Sequence, residues 1–330
     1  MRLTFLGTSA GAPTTERNVT ALAVALDDSR SWYLVDCGEA TQHRLLHCRY
    51  TLSRLKAIFI THVHGDHIFG LPGLLSAAVM QGRKDPLTIC APEGVELFIR
   101  QAFAISTQDC PFELIFIRSD HCEFSYCDND VTVTSHGLSH RVPSFAYRFS
   151  EQAVPPRLNE NKMAALGIPQ GPLWGQLQRG EAIKGSDGQV IFPEQVLALP
   201  PKKRVVVVGG DNDQPKLLSH VLAEADILVH EATFTEAARK QVGSQWMHST
   251  AKQVAKAATL AALPHLILTH FSGRYRLNAK PEEESVELLK LEAQRYYQGN
   301  IILAEDFATW QLQRNKKLVS LGYCSKQLSG

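Results

Sequence analysis

Short apolar runs recur along the chain, and most of them stop at a residue able to bind a metal ion. MRLTFLG leads into a loop containing Gly and Ser, WYLV stops at Asp36, Cys37 and Gly38, and AIFIT stops at His62. VTVTSHGLSH alternates apolar and polar positions as a half-buried strand does, and reaches His136 and His140. RVVVVGG is followed by Asp211, DILV by His230 and Glu231, and HLILT by His270. The unbroken apolar run at 205–208 predicts a strand buried on both faces. Between these runs the spacing turns helical. PEGVELFIRQAF has Pro92 at its start, STAKQVAKAATLAAL offers Ser249 as a cap, and PEEESVELLKLEAQRYY opens on Pro281 and three glutamates that suit a helix N-terminus. Interleaved strands and helices over 1–330 predict one α/β domain with sheets covered by helices. Residues 151–200 depart from the pattern. Pro155, Pro156, Gly167, Pro169, Gly171 and Pro172 interrupt any sustained run, which predicts an inserted arm projecting from the core.

The densest polar cluster lies in KAIFITHVHGDHIFGLPG, where His62, His64, Asp66 and His67 fall within six positions after an apolar run. Four such side chains are costly to bury unless something binds them. Strands of an α/β protein deliver ligand-binding residues at their carboxyl ends. Imidazoles and carboxylates without thiolates suit zinc or a neighbouring divalent ion. His62 and His64 share a tight turn, and Asp66 and His67 follow within reach of a second position. Distal candidates are His140, with His136 competing from the same strand, Asp211 and His270. Seven ligands exceed one tetrahedral ion and suit two, with a carboxylate bridging.

Composition narrows the classes. At 330 residues and 44% hydrophobic, the chain can bury a large core. Its 20% charged residues and net charge of +1 argue against disorder and against gripping nucleic acid by bulk charge. Seven scattered cysteines without a C-x-x-C predict buried, reduced thiols rather than a disulfide framework. Neither a signal-peptide core nor a spanning run of roughly 18 apolar residues is present, so a soluble cytoplasmic protein is expected.

THVHGDH fits the H-x-H-x-D-H signature of the metallo-β-lactamase fold. The blocks FLGTSAGAPTTERN, DCGEATQ, THVHGDHIFGLPGLL, GIPQGPLWGQLQRG, HEAT, HST and HFSGRY extend the likeness along most of the chain. Together they resemble the short form of the ribonuclease Z family, the tRNA 3′-processing endonucleases. That resemblance implies an αββα sandwich, with His62, His64 and His140 on one metal, Asp66, His67 and His270 on the other, and Asp211 between them. It selects His140 over His136. It further implies two Zn2+ per subunit, with Mn2+, Co2+ or Mg2+ as substitutes, a homodimer, precursor tRNA as substrate, and an arm at 151–200 that grips the tRNA elbow. The arm's own charges nearly balance, so the tRNA expectation rests on the resemblance.

Hydrolysis that leaves a 3′-hydroxyl needs a proton acceptor for water and a donor for the leaving oxygen. Asp66 takes the first role in the family. His248, just before a predicted helix and outside the ligand set, is the candidate for the second. His230 and Glu231 would orient it or a ligand, and Asp36 is a similar candidate. Ser272, Arg274 and Arg276, just beyond His270, suit phosphate recognition. His43 and His47 stand four apart without the Glu of H-E-x-x-H and read as a solvated helix face.

The sequence departs from the family at Asn212, where Thr is usual, at Ala40 and Ala146, where Gly is common, and in a basic-leaning C-terminal tail. Two other readings are a metallo-hydrolase of small phosphodiesters, arylsulfates or lactones, and a non-catalytic RNA-binding scaffold. An arm dispensable for activity would mark the first and substoichiometric zinc or manganese the second.

Overall fold

The computed structural model describes residues 1–27, 29–121, 124–152, 158–185, 188–198, 202–280 and 283–324. The expectations for Pro155, Pro156, Pro281, Glu282, Cys122 and the last residues of the tail lie outside these. The chain forms two compact units, Met1–Ser150 with Arg204–Gly330, and Glu151–Lys203.

In the larger unit, strands gather into two main sheets. The first runs in the order Leu318–Tyr323, Ala308–Leu312, Arg2–Gly7, Ala21–Ala25, Trp32–Val35, Leu55–Phe59, Leu87–Ala91, Leu114–Arg118. The second runs Asn300–Leu303, His265–Thr269, Ile227–Glu231, Val205–Gly209, Ser144–Glu151, Val131–Leu138, Ser125–Cys127. The two-residue period of a strand sorts the side chains. Leu22, Val24, Phe59, Val206, Val208 and Ile267 meet in one core shared by both sheets. Their neighbours Ala21, Ala23 and Ile58 turn to the other face and pack with Leu74 and Ile99 of the helices Leu71–Met80 and Val95–Ile105. On the second sheet Val205, Val207, Leu266 and Leu268 do the same with Val254 and Leu289 of Ala251–Leu260 and Glu287–Gln294. The layers are helix, sheet, sheet, helix. The run at 205–208 is buried throughout because it has a core on each face.

Both sheets contain a parallel block. From Trp32–Val35 to Leu114–Arg118 the pairing is parallel, and so it is from Val205–Gly209 to Asn300–Leu303. Within each block the carboxyl ends therefore share one edge. Gly38, in the turn after Trp32–Val35, allows the ligand loop to approach. An added Cβ there would stand 2.4 Å from the Asp66 carbonyl oxygen, closer than any side chain permits.

Several local expectations are corrected. The cap of Ala251–Leu260 is Thr250, whose hydroxyl accepts from Gln253 N while the Gln253 side chain accepts from Thr250 N; Ser249 instead donates to the Asn212 carbonyl. Pro92 precedes its helix, which starts at Val95 after Gly94 in a left-handed conformation. The acidic residue in the first turn of Glu287–Gln294 is Glu287, while Glu284–Ser285 is a short strand. Cys48 and Cys324 form a disulfide across 276 positions, against the expectation of reduced thiols. Nothing local marks that pair; the sheet brings it together. Among the described residues, Cys37 and Cys90 are buried thiols outside that disulfide.

The unit Glu151–Lys203 has its own small core. Met163, Leu177, Ile183, Ile191 and Val196 are buried together. They come from the helices Glu160–Ala165, Pro172–Gln178 and Pro193–Val196 and from the two-stranded ribbon Ile183–Lys184 with Val190–Ile191. Among the described residues, no helix is long and apolar enough to cross a membrane.

Candidate metal centre

The strand Leu55–Phe59 ends in an extended segment that carries His62 and His64, two apart and hence on one side. The chain then turns into the short helix Gly65–Ile68, which presents Asp66 and His67. The distal residues arrive from strand ends of the other sheet. His140 follows Val131–Leu138, Asp211 follows Val205–Gly209, and His270 follows His265–Thr269. Asp36 and His270 both adopt left-handed backbone, at φ 59° and 55°. Such conformations are uncommon outside glycine, and Asp and His are among the residues that tolerate them.

These residues fall into two sets around one carboxylate. His62, His64, His140 and Asp211 bring one ligand atom each within 4.8 Å of one another, as do Asp66, His67 and His270. Asp211 faces both. Its Oδ2 lies 3.5 Å from His62 Nε2 and 3.7 Å from His140 Nε2, and its Oδ1 lies 3.6 Å from His67 Nε2 and 3.4 Å from His270 Nε2. Asp66 Oδ2 is 3.5 Å from His67 Nε2 and 3.3 Å from His270 Nε2, and accepts from Gly11 N at 2.7 Å.

Outer hydrogen bonds fix the tautomers. Asp36 accepts from His67 Nδ1 at 2.7 Å and from the Thr61 amide and hydroxyl at 2.8 and 2.9 Å. Because that hydroxyl is donated to Asp36, His62 Nδ1 must donate to it, at 3.0 Å. His140 Nδ1 donates to the Met247 carbonyl at 3.0 Å. The Thr233 hydroxyl donates to Glu231 Oε2, so His270 Nδ1 donates to Thr233 at 3.1 Å. Four imidazoles are thus held with Nδ1 protonated and the Nε2 lone pair turned inward.

The arrangement fits divalent cations. His62 Nε2 and His140 Nε2, both acceptors, approach His64 Nδ1 at 3.1 and 3.2 Å. His67 Nε2 is buried without a hydrogen-bond partner. Converging lone pairs and a buried orphan nitrogen are unfavourable in an apolar setting and favourable around a cation. Burial and the neighbouring histidines His67, His140 and His64 keep His62 neutral, well below its ordinary range. That is the protonation state a ligand needs.

His248 stands beside these two sets and forms a third with Asp211 and His270, one atom of each lying within 4.8 Å of the others. Its Nδ1 donates to Glu231 Oε1 at 3.0 Å and lies 3.7 Å from Asp211 Oδ2. Burial alone would lower its pKa, but the Glu231 and Asp211 carboxylates raise it to about 9. Glu231 also accepts from Asn212 N at 2.8 Å, so one buried carboxylate ties His248, Thr233 and the chain after Asp211 together. His230 is one step further out, against Asn212 Nδ2 at 3.1 Å and the Glu231 carbonyl at 2.8 Å.

Other expected residues fall elsewhere. His136 reaches Thr134 at 2.9 Å and the ring of His220, not the cluster. His43 is exposed, and His47 packs edge-on against Phe307. Arg274 turns toward Phe234 and Glu284, with no hydrogen bond to the ligand set, and the Ser272 hydroxyl accepts from Arg274 N. Thr61, Thr233, the Met247 carbonyl and the Gly11 amide were missed from the sequence. The hydroxyls beside His62 and Glu231 were the only signal available. Asn212 binds Ser139 N, Gln214 N and His230 through its side chain.

Comparison with known proteins follows the same outline. A family model described as anti-Pycsar protein Apyc1 matches residues 1–103. A ribonuclease Z from Marinobacter nauticus is 45% identical over 318 residues, covering 96% of this chain and 98% of its own. Among solved structures, the short form of human tRNase Z superposes with a TM-score of 0.65 at 26% identity, covering 95% of this chain and 100% of that one. The metallo-β-lactamase fold protein YhfI from Bacillus subtilis gives 0.63 at 19% identity, over 94% and 98%, a likeness of fold alone.

Proposed function

The chain belongs to the ribonuclease Z family, and from that premise we infer that it is a tRNA 3′-processing endoribonuclease that frees precursor tRNA of its 3′ trailer and leaves a 3′-hydroxyl. The observation that carries the chemistry is Asp211, one buried carboxylate with an oxygen turned to each of two ligand sets. His62, His64 and His140 would hold one divalent ion and Asp66, His67 and His270 the other, two Zn2+ per subunit, with Mn2+, Co2+ or Mg2+ able to substitute. Such ions supply an acidified water and neutralise phosphate charge.

The chain's own groups supply the rest. Asp66, steadied by Gly11 N, is the carboxylate that accepts the proton of the attacking water. His248, kept protonated by Glu231, gives a proton to the leaving oxygen. Asp36, Thr61, Thr233 and Glu231 hold the imidazoles in register, and His230 with Asn212 backs Glu231. Ser272 and Arg274 contact substrate phosphate once Arg274 leaves Glu284. The unit Glu151–Lys203 serves as the tRNA-binding arm. The protein acts as a cytoplasmic homodimer, which sedimentation would test.

The deciding experiment is cleavage of a precursor tRNA by the purified, metal-loaded protein, mapped to the nucleotide, with Asp211→Ala as control. A single cut near the discriminator base, lost in the variant together with bound metal, is expected. An intact trailer alongside hydrolysis of a simple aryl phosphodiester would leave the metal centre standing and remove the tRNA substrate.

A further inference from the structure

The strand Arg2–Gly7 links two different sites. Past Gly7 the chain reaches Gly11, whose amide holds Asp66 in the metal centre. At the other end Arg2 borders a cavity of about 620 Å³. Six residues of strand, at about 3.3 Å each, put the two roughly 20 Å apart.

The cavity has an unusual charge. Arg2, Arg30, Arg49 and Arg54 all line it, and among the described residues no aspartate or glutamate does. Arg2 donates to the Leu26 carbonyl at 3.3 Å, and none of the four has an ion pair among the described residues. The nearby Asp27 is already taken by the N-terminal amine, Arg204 and Gln311. Arg30, Arg49 and Arg54 are exposed. A chain of net charge +1 gains nothing in stability by gathering four guanidinium groups without counter-charge. Moreover, every basic residue in the lining is Arg, the planar fork that matches phosphate oxygens, and none is Lys.

Two aromatic residues, Trp32 and Tyr50, also line the cavity and are fixed in place. Trp32 and Tyr50 have ring centroids 5.0 Å apart. The Trp32 indole donates to the Thr51 carbonyl at 2.8 Å, and the Tyr50 hydroxyl pairs with Thr4 Oγ1 at 2.9 Å. Tyr50 is half-buried and lines the cavity. An aromatic face beside guanidinium groups suits a nucleobase next to its phosphate. The volume lies within the ~300–1,000 Å³ usual for small-ligand sites and suits one nucleotide rather than a helix.

We propose that this cavity binds a nucleoside phosphate, its phosphate on the arginines and its base against the Tyr50 wall. The ligand is either a free mononucleotide or a single nucleotide within an RNA strand. The assignment is independent of the metal-centre reading.

The test is calorimetric titration of the full-length chain with 5′-AMP, adenosine and a short single-stranded oligoribonucleotide. The Asp211→Ala chain is titrated in parallel, so that binding at the metal centre is separated. Arg49→Glu with Arg54→Glu reverses two exposed charges, and Arg30→Glu, on a different loop, is a second variant; thermal melts and metal content verify that each folds. AMP binding one to one to wild type and Asp211→Ala alike, at least tenfold tighter than adenosine and at least tenfold weaker in either Arg variant, supports a free nucleotide. Binding of the oligoribonucleotide alone, with the same loss in the variants, supports a strand nucleotide. If neither AMP nor the oligoribonucleotide binds Asp211→Ala, if adenosine matches AMP, or if charge reversal leaves binding unchanged, the proposal is overturned.

Discussion

The two ends of the strand Arg2–Gly7 differ in how their polar groups are satisfied. At the Gly11 end, four imidazoles each give the outer N–H to a named acceptor, namely Thr61, Asp36, the Met247 carbonyl and Thr233. At the Arg2 end, four guanidinium groups line a cavity with no carboxylate among the described residues. A site for cations must hold lone pairs together against their own repulsion, so its supports are buried and interlocked. A site for an anion can rely on charge that water screens until the ligand arrives, and three of these four guanidinium groups stand exposed. Substitution should therefore act steeply at one end and gradually at the other.

The largest effect is expected at His248. His248→Ala should lower cleavage by about 10²–10⁴-fold, the usual worth of a placed proton donor, while bound metal stays at the wild-type level. Metal lost in parallel with activity would instead make His248 a support of the ligands. Next comes Thr233, whose hydroxyl passes the Glu231 charge on to His270. Thr233→Val keeps the shape and should weaken metal affinity by about 10–100-fold, read by competition with a chelator. Unchanged affinity would show that the outer bonds matter less than the contrast assumes.

A smaller effect lies at Asp27, which joins the N-terminal amine, Arg204 and Gln311 near the Arg2 end. Burial pushes its carboxyl up, but Arg204, Gln311 and the N-terminal amine prevail and hold it at about 2, against an ordinary 3.8. The folded state thus binds this proton more weakly than the unfolded chain. The stabilisation is complete above about pH 4 and is lost as pH falls toward 2. Asp27→Asn should cost about 1–2 kcal/mol at neutral pH, allowing for partial exposure, and the gap from wild type in denaturant melts should narrow below about pH 4. A gap constant with pH would assign the loss to packing.

The smallest effect is at Ala40, which sits at φ 61° before the helix Thr41–Leu46. Left-handed backbone costs an alanine about 1–2 kcal/mol, partly offset in glycine by greater freedom of the unfolded chain. Ala40→Gly should therefore stabilise by about 0.5–1 kcal/mol in a denaturant melt, with activity unchanged.

Contiguous residues determined much of this protein by themselves. The apolar runs specified strands because a two-residue period and two-sided burial leave few alternatives, as the run at 205–208 shows. THVHGDH specified half a metal site because a strand end, an extended pair and one short helical turn need only local geometry. Tertiary structure decided what is distant in the chain. Packing of one sheet on the other set the two oxygens of Asp211 between two His/Asp clusters and brought His140 into one of them, while His136 lies against Thr134. It likewise made Thr233 the partner of His270 and Thr250, not Ser249, the helix cap. Cys48 met Cys324, and Arg2 came beside Arg30, Arg49 and Arg54. None of these can be read along the sequence, because hydrogen bonds and charges depend on distance in space, and only the packed core fixes that distance.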